Sequence, residues 1–149
     1  MLVVGVDEST GSAEALRWAV GEAKLRNSTV RIVHAWEYPM ASISDLPIDA
    51  GTLRAFEEHA EDVIDEVLVD AVGDVQELEG SVRVERVVTR GAASEALLRA
   101  SEDADLLVVG SRGRGGFKSL LLGSVSQQCA QHATCPVVIV PARSHSSRD

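Results

Sequence analysis

Glycines, serines and basic residues cluster in residues 106–126, which read LLVVGSRGRGGFKSLLLGSVS. The segment opens with four aliphatic residues, Leu106–Val109, which are too few for a helix and typical of a buried strand. A glycine-rich basic loop follows, and Gly123-Ser124 precedes a predicted helix over Val125–His132. This order favours an anion site, because bare backbone and the unpaired N–H groups of a helix start can approach a phosphate. The serine would either cap that helix or donate to the phosphate.

The distribution of charge along the chain agrees with an anion site in its last third. Residues 1–105 carry 9 Lys and Arg against 22 Asp and Glu, whereas residues 106–148 carry five basic residues and no acid. A carboxylate-free segment in an acidic protein attracts anions, although the same charges could serve only to solubilise this part of the chain. The net charge of −9 and the few aromatic residues argue against a nucleic-acid surface.

The spacing of the motif, Gly110-x2-Gly113-x9-Gly123-Ser124, separates it from other phosphate loops. No Gly-Lys-Ser/Thr closes it, as in a Walker A loop, and it does not match G-x-G-x-x-G. The spacing resembles that of the ATP-binding branch of the universal stress protein family. The resemblance extends over essentially the whole chain, since VVGVDES at 3–9, VRIVHA at 30–35 and CPVVIVP at 135–141 resemble that family's first, second and last strands.

The resemblance implies an adenine nucleotide site, with ATP as the ligand, with or without Mg²⁺, and AMP or cyclic AMP as alternatives. Asp7 matches the family's adenosine-binding aspartate, and Ala35 matches the residue whose backbone contacts adenine. From the residues alone, Asp7 could equally well cap the helix that follows it. The complete set expected to bind nucleotide is Gly5, Val6, Asp7, Ala35, Val109, Gly110, Ser111, Arg112, Gly113, Arg114, Gly115, Gly116, Gly123, Ser124, Val125 and Ser126.

Four further side chains are expected near the site, those of Arg112, Arg114, Glu8 and His34. Arg112 and Arg114 are expected to supply at least one phosphate contact, rather than solvated loop charge alone. Glu8 follows Asp7 where the family often has a small residue, so it adds negative charge near the site. His34 is interpreted as a hydrogen-bonded strand histidine rather than a catalyst.

The sequence shows no Ser-His-Asp or Cys-His arrangement and no cluster of metal ligands. Cys129 and Cys135 are interpreted as small core residues rather than a metal or disulfide pair. No Asp, Glu or His lies in residues 106–131, where the phosphates would bind. We therefore predict a regulatory nucleotide-binding protein, with a slow ATPase or self-phosphorylating enzyme and a cyclic-AMP-binding protein as alternatives.

Strands and helices are predicted to alternate along the chain. Apolar patterns predict strands at 2–6, 29–36, 81–88, 106–109 and 136–140, and helices at 13–25, 52–72, 91–101 and 125–132. Residues 37–51 are predicted to form a long loop. This alternation indicates an α/β fold with a parallel sheet and helices on both faces. The resemblance supplies the strand order 3-2-1-4-5, Rossmann-like and similar to the adenine nucleotide alpha hydrolases, which places Asp7 near Gly110 where the strand order reverses.

The 149 residues are predicted to form a single domain, with a disordered tail at about 144–149. No stretch is long enough for a transmembrane helix and no signal peptide is recognisable, so we expect a cytoplasmic protein without membrane contact. The last strand, Val137–Val140, is apolar on both faces and lies at the sheet edge in the expected order. Because the resemblance implies pairing there, we expect a homodimer through this strand.

Overall fold

A computed structural model describes residues 1–38, 49–113 and 121–142. Within these residues one parallel sheet has the order β3-β2-β1-β4-β5, which confirms the predicted architecture and strand order. Its strands are β1 (Leu2–Gly5), β2 (Val30–Trp36), β3 (Val84–Arg90), β4 (Leu106–Gly110) and β5 (Val137–Val140). The accompanying helices are α1 (Thr10–Arg26), α2 (Ala50–Val72), α3 (Val75–Ser81), α4 (Ala93–Ala100) and α5 (Ser124–His132).

Helices cover both faces of the sheet. Successive residues of a strand point to opposite faces, so apolar residues on both faces need a helix to pack against. Val4 and Ile32 belong to a core cluster with residues of α1, α2 and α3. Val3 lies on the other face, in a cluster with Leu97 of α4 and Cys129 of α5. The chain therefore leaves β1 towards one face and leaves β4 towards the other, which forms a crevice beyond the carboxyl ends of these two neighbouring strands.

Residues 75–81 form a helix that the sequence analysis did not predict. Gly73, with φ of 75°, ends α2, and the Asp74 carboxylate accepts a hydrogen bond of 3.0 Å from the N–H of Glu77. Leu78 is the buried residue of this helix, so the sequence carries no apolar stripe over it. Asp74 and Glu77 have the spacing of a capping box, and this spacing could have predicted the start of the helix.

β3 begins at Val84 and ends at Arg90, later than the predicted span of 81–88. Val82 is buried at the end of α3 rather than in the strand. The alternation of apolar residues did not distinguish a buried residue at a helix end from a buried residue in the strand. The strand continues to Arg90 because β2 continues to its partner Trp36. β3 lies at the sheet edge, as the expected strand order 3-2-1-4-5 implied.

Two helices begin earlier than predicted, α1 at Thr10 and α2 at Ala50. The Asp49 carboxylate accepts a hydrogen bond of 2.8 Å from the N–H of Thr52, and this bond lowers the pKa of Asp49. Short polar residues before a helix thus belong to its cap and first turn rather than to the loop. Residues 39–48 of the predicted loop and the tail from residue 143 lie outside the described residues.

Both cysteines lie on the α4–α5 face of the sheet as free thiols, which confirms their interpretation as core residues. Cys129 is completely buried, and burial raises the pKa of its thiol to about 11. Cys135 is only partly buried. Because the thiolate is the reactive form, the two thiols should differ strongly in reactivity.

We expect a thiol reagent such as Ellman's reagent, at about pH 8, to modify Cys135 rapidly and Cys129 only after denaturation. The variant Cys135→Ser should then show no rapid phase in the native protein. Rapid modification of this variant would mean that Cys129 is accessible and would contradict the packing of α5 described above.

Candidate functional site

A cavity lies at the carboxyl ends of the strands, where the strand order reverses. β1 ends at Gly5, which pairs with Val33 of β2, whereas β2 continues to Trp36. The pairing of β1 with β4 ends at Val4, whereas β4 continues to Gly110. The space beyond the shorter β1 is a cavity of about 450 Å³, which is within the range of about 300–1,000 Å³ for small-molecule sites.

Every predicted site residue in the described part of the chain lines this cavity except Ser111, which is buried beneath it. Arg114, Gly115 and Gly116 lie outside the described residues. The lining residues among the predicted set are Gly5, Val6, Asp7, Ala35, Val109, Gly110, Arg112, Gly113, Gly123, Ser124, Val125 and Ser126. The structure therefore brings together four segments that are far apart in the chain.

Five further residues line the cavity without having been predicted: Ser9, Ser12, Val33, Ala93 and Leu97. Ala93 and Leu97 lie four residues apart on α4 and have the pattern of ordinary core residues. Only the packing of α4 against β1 and β2 identifies them as cavity residues. Ser9 and Ser12 follow Asp7 by two and five residues, and this spacing could have predicted that they lie near the cavity.

Asp7 follows β1 and is held by the first turn of α1. Its Oδ1 accepts hydrogen bonds from the Ser9 N–H at 2.9 Å and from the Ser12 hydroxyl at 2.8 Å. Its Oδ2 faces Gly113, because a Cβ at Gly113 would lie 2.7 Å from this oxygen. Asp7 thus orders the turn into α1 without being its N-cap, which is Ser9, and it also lies on the cavity wall.

The backbone of Ala35 faces the cavity beyond the end of β1. In a parallel strand, the N–H and C=O groups of alternate residues point to the same side. The N–H of Val6 donates to the carbonyl of Val33 at 3.0 Å, so the groups of Val33, and therefore those of Ala35, point towards β1. β1 has already ended at this level, and no strand of the described residues pairs with Ala35 on that side. The arrangement leaves a backbone donor and acceptor for a ligand.

Gly110 permits the close approach of α1 to the end of β4. A Cβ at Gly110 would lie 3.2 Å from the carbonyl oxygen of Gly11, and a Cβ at Gly11 would lie 3.2 Å from that of Arg112. These distances are shorter than ordinary contacts, so two glycines 99 positions apart allow these backbones to pack. The first glycine of the motif therefore has a packing role.

The prediction that Ser124 caps α5 is wrong, because the N-cap is Gly123 and Ser124 is the first helical residue. The Gln127 N–H donates to the Gly123 carbonyl at 3.0 Å, so the helix starts one residue earlier than predicted. Ser126 holds this turn, since its hydroxyl is 3.0 Å from the carbonyl oxygens of both Ser111 and Gly123. Ser124 therefore lines the cavity and does not cap the helix.

Three helix starts meet at the cavity, because Ser12 of α1, Ala93 of α4 and Ser124 of α5 all line it. The first N–H groups of a helix have no partner within the helix and form the positive end of its dipole. The first turns of α1 and α5 contain no acidic residue, whereas that of α4 contains Glu95. With Arg112 on the same wall, the α1–α5 side of the cavity is suited to an anion.

Two further side chains near the cavity have partners within the fold. His34 is buried, and its Nδ1 lies 2.9 Å from the carbonyl oxygen of Val6. A carbonyl oxygen only accepts hydrogen bonds, so Nδ1 carries the proton, and the interpretation of His34 as a hydrogen-bonded strand histidine is confirmed. Oε1 of Glu8 lies within hydrogen-bond distance of Nε2 of His59 on α2, at 3.2 Å.

The described residues contain no group of three or more His, Cys, Asp or Glu side chains arranged to hold a metal ion. In the same part of the chain, every helix is too short or too polar to cross a membrane.

Comparison with known sequences places the chain in one family. The model of the universal stress protein family matches residues 1–141. A universal stress protein of Mycobacterium tuberculosis is 37% identical over 139 residues, which are 93% of this chain and 46% of the relative. One from Thermus aquaticus is 33% identical over 141 residues, covering 93% of this chain and 96% of the relative. The chain thus spans about half the length of the mycobacterial relative and nearly all of the Thermus one.

Solved structures show the same likeness. A universal stress protein in complex with cyclic AMP is 28% identical with a TM-score of 0.59, covering 95% of this chain and 96% of that one. The universal stress protein UspA from Lactobacillus plantarum shares the fold, with a TM-score of 0.68 at 15% identity and coverage of 93% and 95%. Because the family model matches nearly the whole chain and solved members share its fold, the chain belongs to the universal stress protein family.

Proposed function

We propose that this protein is a regulatory adenine nucleotide-binding protein whose ligand is ATP. The observation that carries the proposal is the pairing, in one cavity, of an exposed backbone edge at Ala35 with a glycine-flanked helix start at Ser124. An adenine nucleotide has two matching parts, a planar base with a hydrogen-bonding edge and an anionic phosphate chain. We further propose that the protein acts in the cytoplasm as a homodimer, without contact to nucleic acid or membrane.

The two parts of the nucleotide are assigned to opposite ends of the cavity. The base would lie at the β2 end, against the apolar walls of Val33 and Leu97, with its edge on the Ala35 backbone. The Asp7 carboxylate, between the two ends, would accept a hydrogen bond from a ribose hydroxyl or from the adenine amino group. This end of the cavity is mainly apolar, which suits an uncharged base.

The phosphates would lie at the other end, over Gly113 and the start of α5. Ser124 and the first N–H groups of α5 supply donors there, and Arg112 supplies positive charge. Arg114, Gly115 and Gly116 are proposed as further residues that bind the phosphates. A bound Mg²⁺ would neutralise part of the phosphate charge, and no residue of this chain is assigned to it.

Cyclic AMP is the second candidate ligand, because a relative with 28% identity is described in complex with it. It shares the base and the ribose 2′-hydroxyl with ATP, but its 3′-oxygen is part of a single cyclic phosphodiester. The two ligands should therefore depend equally on Ala35 and differently on Arg112 and the glycine loop.

Calorimetric titration of three variants with ATP and AMP tests the proposed arrangement. Asp7→Ala is expected to weaken both nucleotides by the same factor, since they share the adenosine end. Arg112→Ala should weaken ATP far more than AMP, because it faces the outer phosphates. Ser124→Ala removes one donor to a charged group, which corresponds to about a tenfold to hundredfold loss of affinity.

Thr10→Ala is the matched control, because Thr10 is an exposed residue of the first turn of α1 that does not line the cavity. It should bind both nucleotides as the parent does. If the parent binds neither ATP, AMP nor cyclic AMP, the proposed function is wrong. If it binds cyclic AMP much more tightly than ATP, the second candidate replaces the first.

Turnover of ATP is expected to be negligible. No Asp, Glu or His occurs in residues 106–131, and Asp7, whose carboxylate faces Gly113, is assigned to the adenosine part of the nucleotide. Positioned acid–base groups typically contribute a factor of about a hundred or more. Incubation with labelled ATP and Mg²⁺, followed by separation of the products and of the protein, measures both hydrolysis and self-phosphorylation. A rate near about 1 per second, the lower end of ordinary enzymes, would instead identify an enzyme.

A further inference from the structure

We infer that Ser12 is a positioning residue of the cavity, whose hydroxyl holds the Asp7 carboxylate in the orientation that faces the nucleotide. The inference rests on the proposed function, in which Asp7 contacts the adenosine part of the ligand. Ser12 is assigned no contact with the nucleotide and acts through Asp7.

The hydrogen bonds of Ser12 join it twice to the same residue. Its hydroxyl donates to Asp7 Oδ1 at 2.8 Å, and its oxygen accepts the Asp7 backbone N–H at 2.7 Å. The side chain and the backbone of Asp7 are therefore held by one group that is itself only 4% exposed. The Ser9 N–H, at 2.9 Å, holds the same oxygen from the same side.

These bonds determine the direction of the other carboxylate oxygen. With Oδ1 held from the α1 side, Oδ2 faces Gly113, where a Cβ would lie 2.7 Å from it. A side chain whose orientation is already fixed in the free protein loses less conformational freedom when a ligand binds. Ser12 thus prepares Asp7 for its ligand before the ligand arrives.

A purely helix-capping role does not account for this hydroxyl. Serine near a helix start stabilises the helix by accepting an N–H of its first turn from the N-cap position. Here the N-cap is Ser9, and Ser12 is the third helical residue. The N–H that Ser12 accepts belongs to Asp7, which precedes the helix. The hydroxyl serves the residue on the cavity wall rather than the helix terminus.

A double-mutant cycle with AMP as the probe tests the inference. Ser12→Ala is expected to weaken AMP about tenfold in the parent and to change nothing further in the Asp7→Ala background. The exposed Thr10→Ala, which also removes a hydroxyl from this turn, should bind AMP as the parent does. An equal loss in both backgrounds would show that Ser12 acts on the fold in general and would overturn the inference.

A measurement without nucleotide separates this inference from the proposed function. Three-bond NMR couplings that report χ1 of Asp7 are expected to show one rotamer in the parent and averaging in Ser12→Ala. Unchanged couplings in the variant would overturn the role of Ser12, whatever the affinity for AMP. If the parent binds no AMP, the proposed function fails, and the couplings still decide whether Ser12 positions Asp7.

Discussion

Replacing Gly113 with valine is expected to abolish measurable nucleotide binding while the fold persists. A Cβ at this position would lie 2.7 Å from Asp7 Oδ2, so the branched side chain must displace either the carboxylate or the loop after β4. Both line the cavity of the proposed site. Gly113 itself is exposed and contributes nothing to the two core clusters, so the free energy of unfolding should change little.

Gly21→Val is the matched control for this substitution. Gly21 is exposed on α1, and a Cβ there would have no neighbour within 4 Å. The variant should bind ATP as the parent does in calorimetric titration, and circular dichroism should show that both variants are folded. Binding of ATP by folded Gly113→Val with the affinity of the parent would show that the phosphates lie elsewhere.

Gly123→Val is a related but weaker test of the same site. A Cβ at Gly123 would make ordinary contacts, 3.4 Å from Arg112 Cα and 3.5 Å from Gly113 N. The fold should therefore accept the first carbon, and the remaining methyl groups would lie beside the start of α5, where a phosphate must approach the backbone. Loss of ATP binding with an unchanged melting temperature is the expected result.

Replacing Ile139 with proline is expected to convert the proposed homodimer into a folded monomer. The carbonyls of Pro136 and Val140 accept hydrogen bonds from β4, at 2.9 Å from Leu107 N–H and 2.8 Å from Ser111 N–H. Because the backbone groups of alternate residues point to the same side, those of Ile139 point to the open edge. Proline at this position removes the outward donor and leaves the pairing with β4 intact.

Val138→Pro is the opposite control, since the backbone groups of Val138 point towards β4. This variant should lower the melting temperature, whereas Ile139→Pro should mainly change the mass measured by analytical ultracentrifugation. An Ile139→Pro variant that sediments as the parent dimer would locate the interface away from β5. A parent that sediments as a monomer would remove the proposed dimer itself.

The architecture and most of the candidate site could be predicted from residue patterns and one motif. Strands such as Leu106–Gly110 are runs of apolar residues that local pattern identifies, and the glycine motif identified the family and with it the strand order. The cavity is lined by the predicted residues because motifs at the carboxyl ends of parallel strands meet at one edge of the sheet. Local signals failed where they were weak, as over residues 75–81, which contain a single buried side chain.

The contacts between groups around the cavity could not be predicted from the sequence. The close approach of Gly11 to Gly110, the lining by Leu97 and the direction of the Ala35 backbone all depend on how elements distant in sequence pack. The hydrogen bonds of Ser12 depend on the path of the turn after β1. The physical reason is that residue type and spacing report the propensity of each element, whereas distances and backbone directions arise from the joint packing of several elements.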